Sequence, residues 1–207
     1  MPSHQMRTCA GIRVRWQFFR SCGDKPMEIT PTLLPDVKLL SPRVFSDDRG
    51  FFFESWNADT FARAGIDFAF VQDNHSRSQR NVLRGLHYQL PGAQGKLVRV
   101  TNGAAFDVVV DIRRSSPDFG RWYGVELSAE NKRMLWVPPG FAHGFLALAD
   151  DTDFLYKCTA PYQPECEHCL LWNDPKIGIA WPMDNGVALL SGKDSEGKLL
   201  CEAPVYP

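Results

Sequence analysis

From Met27 onward the chain is punctuated too often for anything but short elements. Pro91-Gly92, Asn102-Gly103, Ser116-Pro117, Pro138-Pro139-Gly140 and Asp150-Asp151 interrupt runs of four to eight residues rich in apolar and β-branched side chains. Runs of that length suit strands and are too short for ordinary helices. Strands are predicted at Gly50–Trp56, Ala69–His75, Val82–Gln89, Lys96–Thr101, Ala105–Ile112, Trp122–Leu127, Met134–Val137, Gly144–Leu148 and Phe154–Thr159. One short helix is predicted at Asn57–Ala64, with Asn57 as N-cap and Gly65 just past its end. Strands at this density without βα alternation indicate an all-β sandwich or jelly roll. No internal repeat is present.

The 207 residues divide by charge. Residues 1–26 carry Arg7, Arg13, Arg15, Arg20 and Lys25 against Asp24 alone, and read as a loosely attached extension to one domain over residues 27–207. Arg13 and Arg15 interrupt any apolar core of a secretory signal. The Arg-rich, acid-poor character is that of a transit peptide, but an upstream-start extension is the preferred expectation. No apolar run is long enough to span a membrane. With 23 basic and 24 acidic side chains the net charge of −1 argues against non-specific nucleic-acid binding. The six cysteines follow no regular spacing, and reduced thiols in the cytoplasm are expected. Cys166-Glu167-His168-Cys169 invites a zinc reading, but no second CxxC or HxxxH supplies the other ligand pair. These are expected to be surface-loop thiols.

Alternation along the strands sorts the side chains. Phe106, Val108, Val110 and Ile112 share one face of their strand, and Asp107, Val109, Asp111 and Arg113 the other. His143 falls on the same side as Phe141, Phe145 and Ala147. A histidine among aromatics is usually a satisfied core residue, so its company decides. The densest polar groups are Gln72-Asp73-Asn74-His75-Ser76, then Arg84, His87 and Gln89, then Gln94 and Lys96, on successive strands that a jelly roll can aim into one cavity. His143, Tyr156, Glu167, Lys193 and Asp194 follow. Such an inventory suits proton transfer beside a carbonyl. A His removes the proton, a carboxylate orients the His, a cation stabilises the enolate, and a Tyr returns a proton to the other face.

In order along the chain, Phe45–Glu54 (F-x-D-x-R-G-x-F-x-E), Phe70–Asn74, Val82–Gln89 (VLRGLHxQ), Gln94–Val98, Asp107–Arg113, Ser116–Trp122, Trp136–Phe145, Phe154–Thr159, Trp172–Pro175 and Leu190–Asp194 closely resemble the dTDP-4-dehydrorhamnose 3,5-epimerase family. The resemblance implies a homodimeric, cupin-like double-stranded β-helix (jelly roll) with a few short helices, needing no cofactor and no metal. It also implies inversion of C3 and C5 of dTDP-4-dehydro-6-deoxy-D-glucose to give dTDP-4-dehydro-L-rhamnose. By position His87 matches the base, Asp194 its partner, Tyr156 the acid and Lys96 the enolate-side cation, with Asp107 an inward carboxylate nearby. Arg49 and Glu54 match contacts to the nucleotide. Gln72, Asn74, Arg84 and His143 match contacts to sugar and diphosphate, and Glu167 and Lys193 align with further binding positions. His75 is expected to be structural.

Three other readings compete. A metal-dependent cupin would need paired histidines at HxH spacing and a nearby Glu, whereas His87 is followed by Tyr88-Gln89 and the next Glu is Glu126. A relative that inverts only C3 or C5 of a related nucleotide-activated sugar would keep the same base and cation. Tyr156 favours double inversion. A non-catalytic binder would tolerate loss of His87, Lys96 or Asp194, and all three are retained.

Overall fold

The computed structural model describes residues 27–183 and 186–207; the expected extension over residues 1–26 lies outside them. Thirteen strands follow in chain order. They are β1 (Met27–Pro31), β2 (Lys38–Pro42), β3 (Phe45–Asp47), β4 (Gly50–Phe52), β5 (Gln72–Ser78), β6 (Leu83–Gln89) and β7 (Lys96–Asn102). Then come β8 (Ala104–Asp111), β9 (Trp122–Ser128), β10 (Met134–Val137), β11 (Phe141–Ala147), β12 (Thr152–Cys158) and β13 (Glu167–Cys169). The helices are α1 (Ala58–Arg63) and α2 (Gly192–Ser195), with a 3-10 turn at Pro164–Cys166.

Six strands pair in the order β1-β2-β10-β7-β12-β5 and five in the order β13-β6-β11-β8-β9, while β3 and β4 form a separate hairpin. The named pairings are all antiparallel. Two such sheets facing each other are the expected cupin-like jelly roll. Their inner faces enclose Val98, Val100, Val109, Leu135, Phe145 and Phe154. Phe145 and Phe154 stack across the two sheets with ring centroids 4.0 Å apart. Truncating Phe154, which is fully buried, would cost about 3–5 kcal/mol in lost burial and cavity formation.

Each sheet is also covered on its outer face. Phe61 and Ile66, in and just beyond α1, pack with Leu97, Met134 and Trp136 on the six-stranded sheet. The C-terminal segment lays Ile177 and Ala203, with Trp181 and Tyr206, over Leu86, Val108, Val110 and Ile112. This accounts for the apolar character of both faces of β8.

The helix forms as read. Asn57 accepts a bond from the Thr60 amide, and Gly65 follows the Ala64 cap with φ +73°, a left-handed conformation that glycine adopts without strain. Strand bounds differ where pairing overrides local pattern. The expected strand at Ala69–His75 lies at Gln72–Ser78, because its pairing with β12 runs from Cys158↔Gln72 to Thr152↔Ser78. The expected Gly50–Trp56 strand is instead the short hairpin of β3 and β4, turned where Asp47 accepts the Arg49 amide at 2.9 Å. The strands β1, β2 and β13 had no strong signal, being short and fixed by their neighbours.

Candidate active site

Side chains from both sheets converge on one cavity of about 420 Å³. From the six-stranded sheet come Gln72, Asn74 and Ser76 on β5, Lys96 on β7 and Tyr156 on β12. Alternation does this, since these are every-second positions on their strands. The five-stranded sheet contributes Arg84 and His87 from β6, His143 from β11 and Glu167 from β13, and α2 adds Lys193 and Asp194.

Arg84 and His87 are three residues apart, yet both face inward. The strand pairing slips between His143 and Phe145, and Gly85 sits at the slip with φ +122°. A Cβ on Gly85 would stand 2.5 Å from the Gly144 Cα, so this crossing needs glycine.

His87 Nε2 lies 2.7 Å from Asp194 Oδ1. The two atoms are close, but Nε2 makes no well-aligned hydrogen bond. Asp194 is held from three sides. The Ser191 hydroxyl donates to Oδ2 at 2.6 Å, the Gly85 amide donates to Oδ1 at 3.1 Å, and Ser191 caps α2 by accepting the Asp194 amide. Burial opposes its ionisation, but the His87 ring, Ser191 and Gly85 outweigh it and hold the carboxyl well below the usual carboxylate range.

A second pair lies deeper. His143 Nε2 is 3.0 and 3.1 Å from the two oxygens of Asp107, which is fully buried. Burial pushes the Asp107 carboxyl upward, and the charges of His143 and Lys96 pull it back in part. Lys96 is 8% exposed. Burial lowers its pKa, opposed by nearby Cys158, Glu167 and Asp107. Across the cavity burial raises the Tyr156 phenol, which Arg84 partly offsets.

The rim is tied together by hydrogen bonds. Gln72 donates to Asn74 Oδ1 at 3.0 Å, and Asn74 donates to the buried Cys158 thiol at 3.6 Å. Arg84 donates from Nε to Ser78 Oγ at 3.0 Å and from Nη2 to the Arg77 carbonyl at 3.4 Å, and its side chain lines the cavity. Lys193 pairs with Glu167, which also accepts from the Tyr162 hydroxyl at 2.5 Å and so pushes that phenol up to about 12. An imidazole beside an ionised carboxylate, a buried ammonium and an opposed phenol can together move a proton next to a carbonyl.

Residues 31–202 match the profile of a family described as dTDP-4-dehydrorhamnose 3,5-epimerase. A dTDP-4-dehydrorhamnose 3,5-epimerase of Pseudomonas aeruginosa is 57% identical over 182 residues, covering 87% of this chain and 100% of the relative. The chain belongs to the dTDP-4-dehydrorhamnose 3,5-epimerase family. The dTDP-6-deoxy-D-glucose-3,5-epimerase of Legionella pneumophila, solved in complex with dTDP-4-keto-L-rhamnose, superposes with a TM-score of 0.84 at 50% identity, over 86% of this chain and 95% of that one. A 3'-monoepimerase from Streptomyces bikiniensis in complex with dTDP-quinovose superposes with a TM-score of 0.78 at 38% identity, over 83% and 87% of the two chains. As a member of this epimerase family the protein is an isomerase.

The site residues named from sequence line this cavity except Arg49, Glu54 and Asp107, the last of which lies buried behind His143. The Arg49 side chain is 88% exposed on the β3–β4 hairpin and pairs with Asp47, while Glu54 accepts from Asn57 at 3.0 Å. Within one chain neither Arg49 nor Glu54 reaches the cavity. His75 contacts Asp153 at 3.1 Å on the surface, outside the cavity lining.

The expectation of surface-loop thiols at Cys166–Cys169 is overturned. Cys166 is buried, and Glu167–Cys169 is a strand paired with β6, with Cys169 opposite His87. His168 turns to the Leu90 carbonyl, and among the described residues neither His168 nor Cys166 belongs to a group of three metal-ligating side chains. Sequence reasoning missed Ser191 and Tyr162. For Ser191 a signal existed, because Ser191-Gly192-Lys193-Asp194 has the S-x-x-D spacing of a helix start.

Proposed function

We propose that this protein inverts C3 and C5 of dTDP-4-dehydro-6-deoxy-D-glucose, without a cofactor, in dTDP-L-rhamnose biosynthesis. His87 takes the proton α to the C4 ketone while Asp194 supports its charged form. Lys96, buried where the ketone oxygen would gain charge, stabilises the enolate; its low-dielectric setting strengthens that contact. Tyr156 then delivers a proton to the opposite face. The observation that carries this reading is that His87 and Tyr156 line one cavity from different sheets, with Lys96 in the same lining on the strand beside that of Tyr156. Arg84 suits the diphosphate, having a permanent charge on a forked donor. The hydroxyl of Ser76 is buried in the cavity wall with no hydrogen-bond partner among the described residues, and serves as a further substrate donor.

The enzyme acts as a homodimer in the cytoplasm. Phe45, Phe51 and Phe52 are exposed around Arg49 on a hairpin that packs on neither sheet's core, an arrangement suited to carrying Arg49 and Glu54 to the nucleotide end of a second copy's site. Mixing His87→Ala and Arg49→Ala subunits tests the shared site. Partial recovery of activity is expected, and none would mean that each chain completes its own.

The epimerisation is tested with dTDP-4-dehydro-6-deoxy-D-glucose in deuterium oxide, followed by proton NMR. Deuterium entering at both C3 and C5 is expected. Exchange at C3 alone would move the protein toward the Streptomyces bikiniensis type of activity, which shares this fold.

A further inference from the structure

Cys169 lies beside the proposed catalytic pair but has no part in the reaction. Register on β13 sets it opposite His87 on β6, and α2 brings Asp194 to the same point from the far end of the chain. One ligand atom from each residue, an imidazole nitrogen, a thiol sulfur and a carboxylate oxygen, lies within 4.8 Å of the other two. Among the described residues no other three His, Cys, Asp or Glu side chains gather in this way.

We propose that His87, Cys169 and Asp194 form a binding site for a thiophilic divalent cation, Zn²⁺ in particular, and that its occupancy silences the enzyme. The silencing rests on His87 being the base; the binding does not.

The donor set selects the metal. Sulfur with imidazole favours Zn²⁺ and its soft neighbours, whereas Mg²⁺ and Ca²⁺ want an all-oxygen shell. Bonds of about 2.0–2.3 Å in a tetrahedron hold ligand atoms roughly 3.4–3.6 Å apart. His87 and Asp194 would open from 2.7 Å, and the thiol would close from no more than 4.8 Å. These are side-chain rotations, and the strand pairing can stay as it is. Asp194 is already fixed by Ser191 and Gly85, the outer support that a ligating carboxylate needs. His87 Nε2 has no aligned hydrogen bond to give up, and Cys169 loses only a weak donation to the Leu170 carbonyl at 3.4 Å. Three protein ligands leave a fourth position for water. The neighbouring charges of Lys193 and Glu167 are paired with each other.

Burial pushes the Cys169 thiol up to about 12, so it is protonated when the site is empty. Binding breaks the S–H bond, forms the Zn–S bond and sends one proton to solvent, while His87 ligates through Nε2 with its proton on Nδ1. No electron is transferred.

The full-length protein is titrated with Zn²⁺ by calorimetry and with Co²⁺ as a spectroscopic probe, and sugar exchange is measured alongside. A thiolate-to-cobalt charge-transfer band, chelator-reversible loss of exchange and protection by bound dTDP-sugar are expected. Cys169→Ser and Cys169→Ala should keep exchange, abolish the band and weaken Zn²⁺ by at least ~100-fold, since even outer partners of metal ligands contribute 10–100-fold. Absence of the band, or Zn²⁺ inhibition undiminished in both variants, overturns the site. A thiolate band with undiminished exchange would uphold the site, and would remove both the silencing and His87 as base.

Discussion

Two His–Asp pairs each bring a histidine to the same cavity and are built in opposite ways. His143–Asp107 sits in the strand layer, buried, and among the described residues its carboxylate has no hydrogen-bond partner other than the His143 ring. Burial drives that carboxyl up. His87–Asp194 sits where β6 meets α2. Its carboxylate is buried as well, yet Ser191 and Gly85 donate to it and it is held low. Burial alone therefore does not set the character of an acid; the donors around it do. The pair with a firmly ionised carboxylate and a ring 26% exposed is the one suited to take a proton from substrate. The deeper pair is suited to hold a wall of the cavity and the field around Lys96.

The largest expected separation between the pairs is kinetic. His87→Ala should lower deuterium exchange at both sugar carbons by about 10²–10⁴-fold, the usual contribution of a general base, with dTDP affinity unchanged by calorimetry. Exchange at parental rates would end the assignment of roles.

Stability should divide them the other way. His143→Ala leaves Asp107 buried and unpartnered and should cost about 3 kcal/mol in denaturant unfolding, at the low end for a broken buried pair because Asp107 can take up a proton. His87→Ala leaves Asp194 its Ser191 and Gly85 donors and should cost about 1 kcal/mol. Equal losses would erase the contrast.

The smallest effect is the pH dependence of Asp194. Its folded pKa is depressed, so its contribution is present above the unfolded value, about pH 4, and is lost as pH falls further. Asp194→Asn lacks that contribution. The melting-temperature gap between parent and variant should be full near neutrality and should narrow as pH drops below about 4. A gap that widened in acid would contradict an ionised Asp194.

Much of the site was legible because strand alternation is a strict rule. Once Gln72, Asn74, Lys96 and Tyr156 are placed on strands, their every-second spacing aims them to one side. Arg84 and His87 break that rule, and only the family pattern placed both in the site; the slip at Gly85 is a product of packing against Gly144. Cys169 was misjudged for a related reason. Three residues of strand carry no periodic signal, and their structure comes entirely from pairing with β6.

By itself the sequence determined the all-β class, the helix with its Asn57 cap, the family and the inventory of proton-moving groups, since turn chemistry, side-chain period and residue identity are local properties of a chain. Tertiary structure decided which of those groups meet. Strand register set His87 opposite Cys169, the capped turn at Ser191 carried Asp194 across the chain to His87, and the free hairpin kept Arg49 out of its own cavity. Each depends on contacts between distant segments, and no local pattern specifies a distance across a fold.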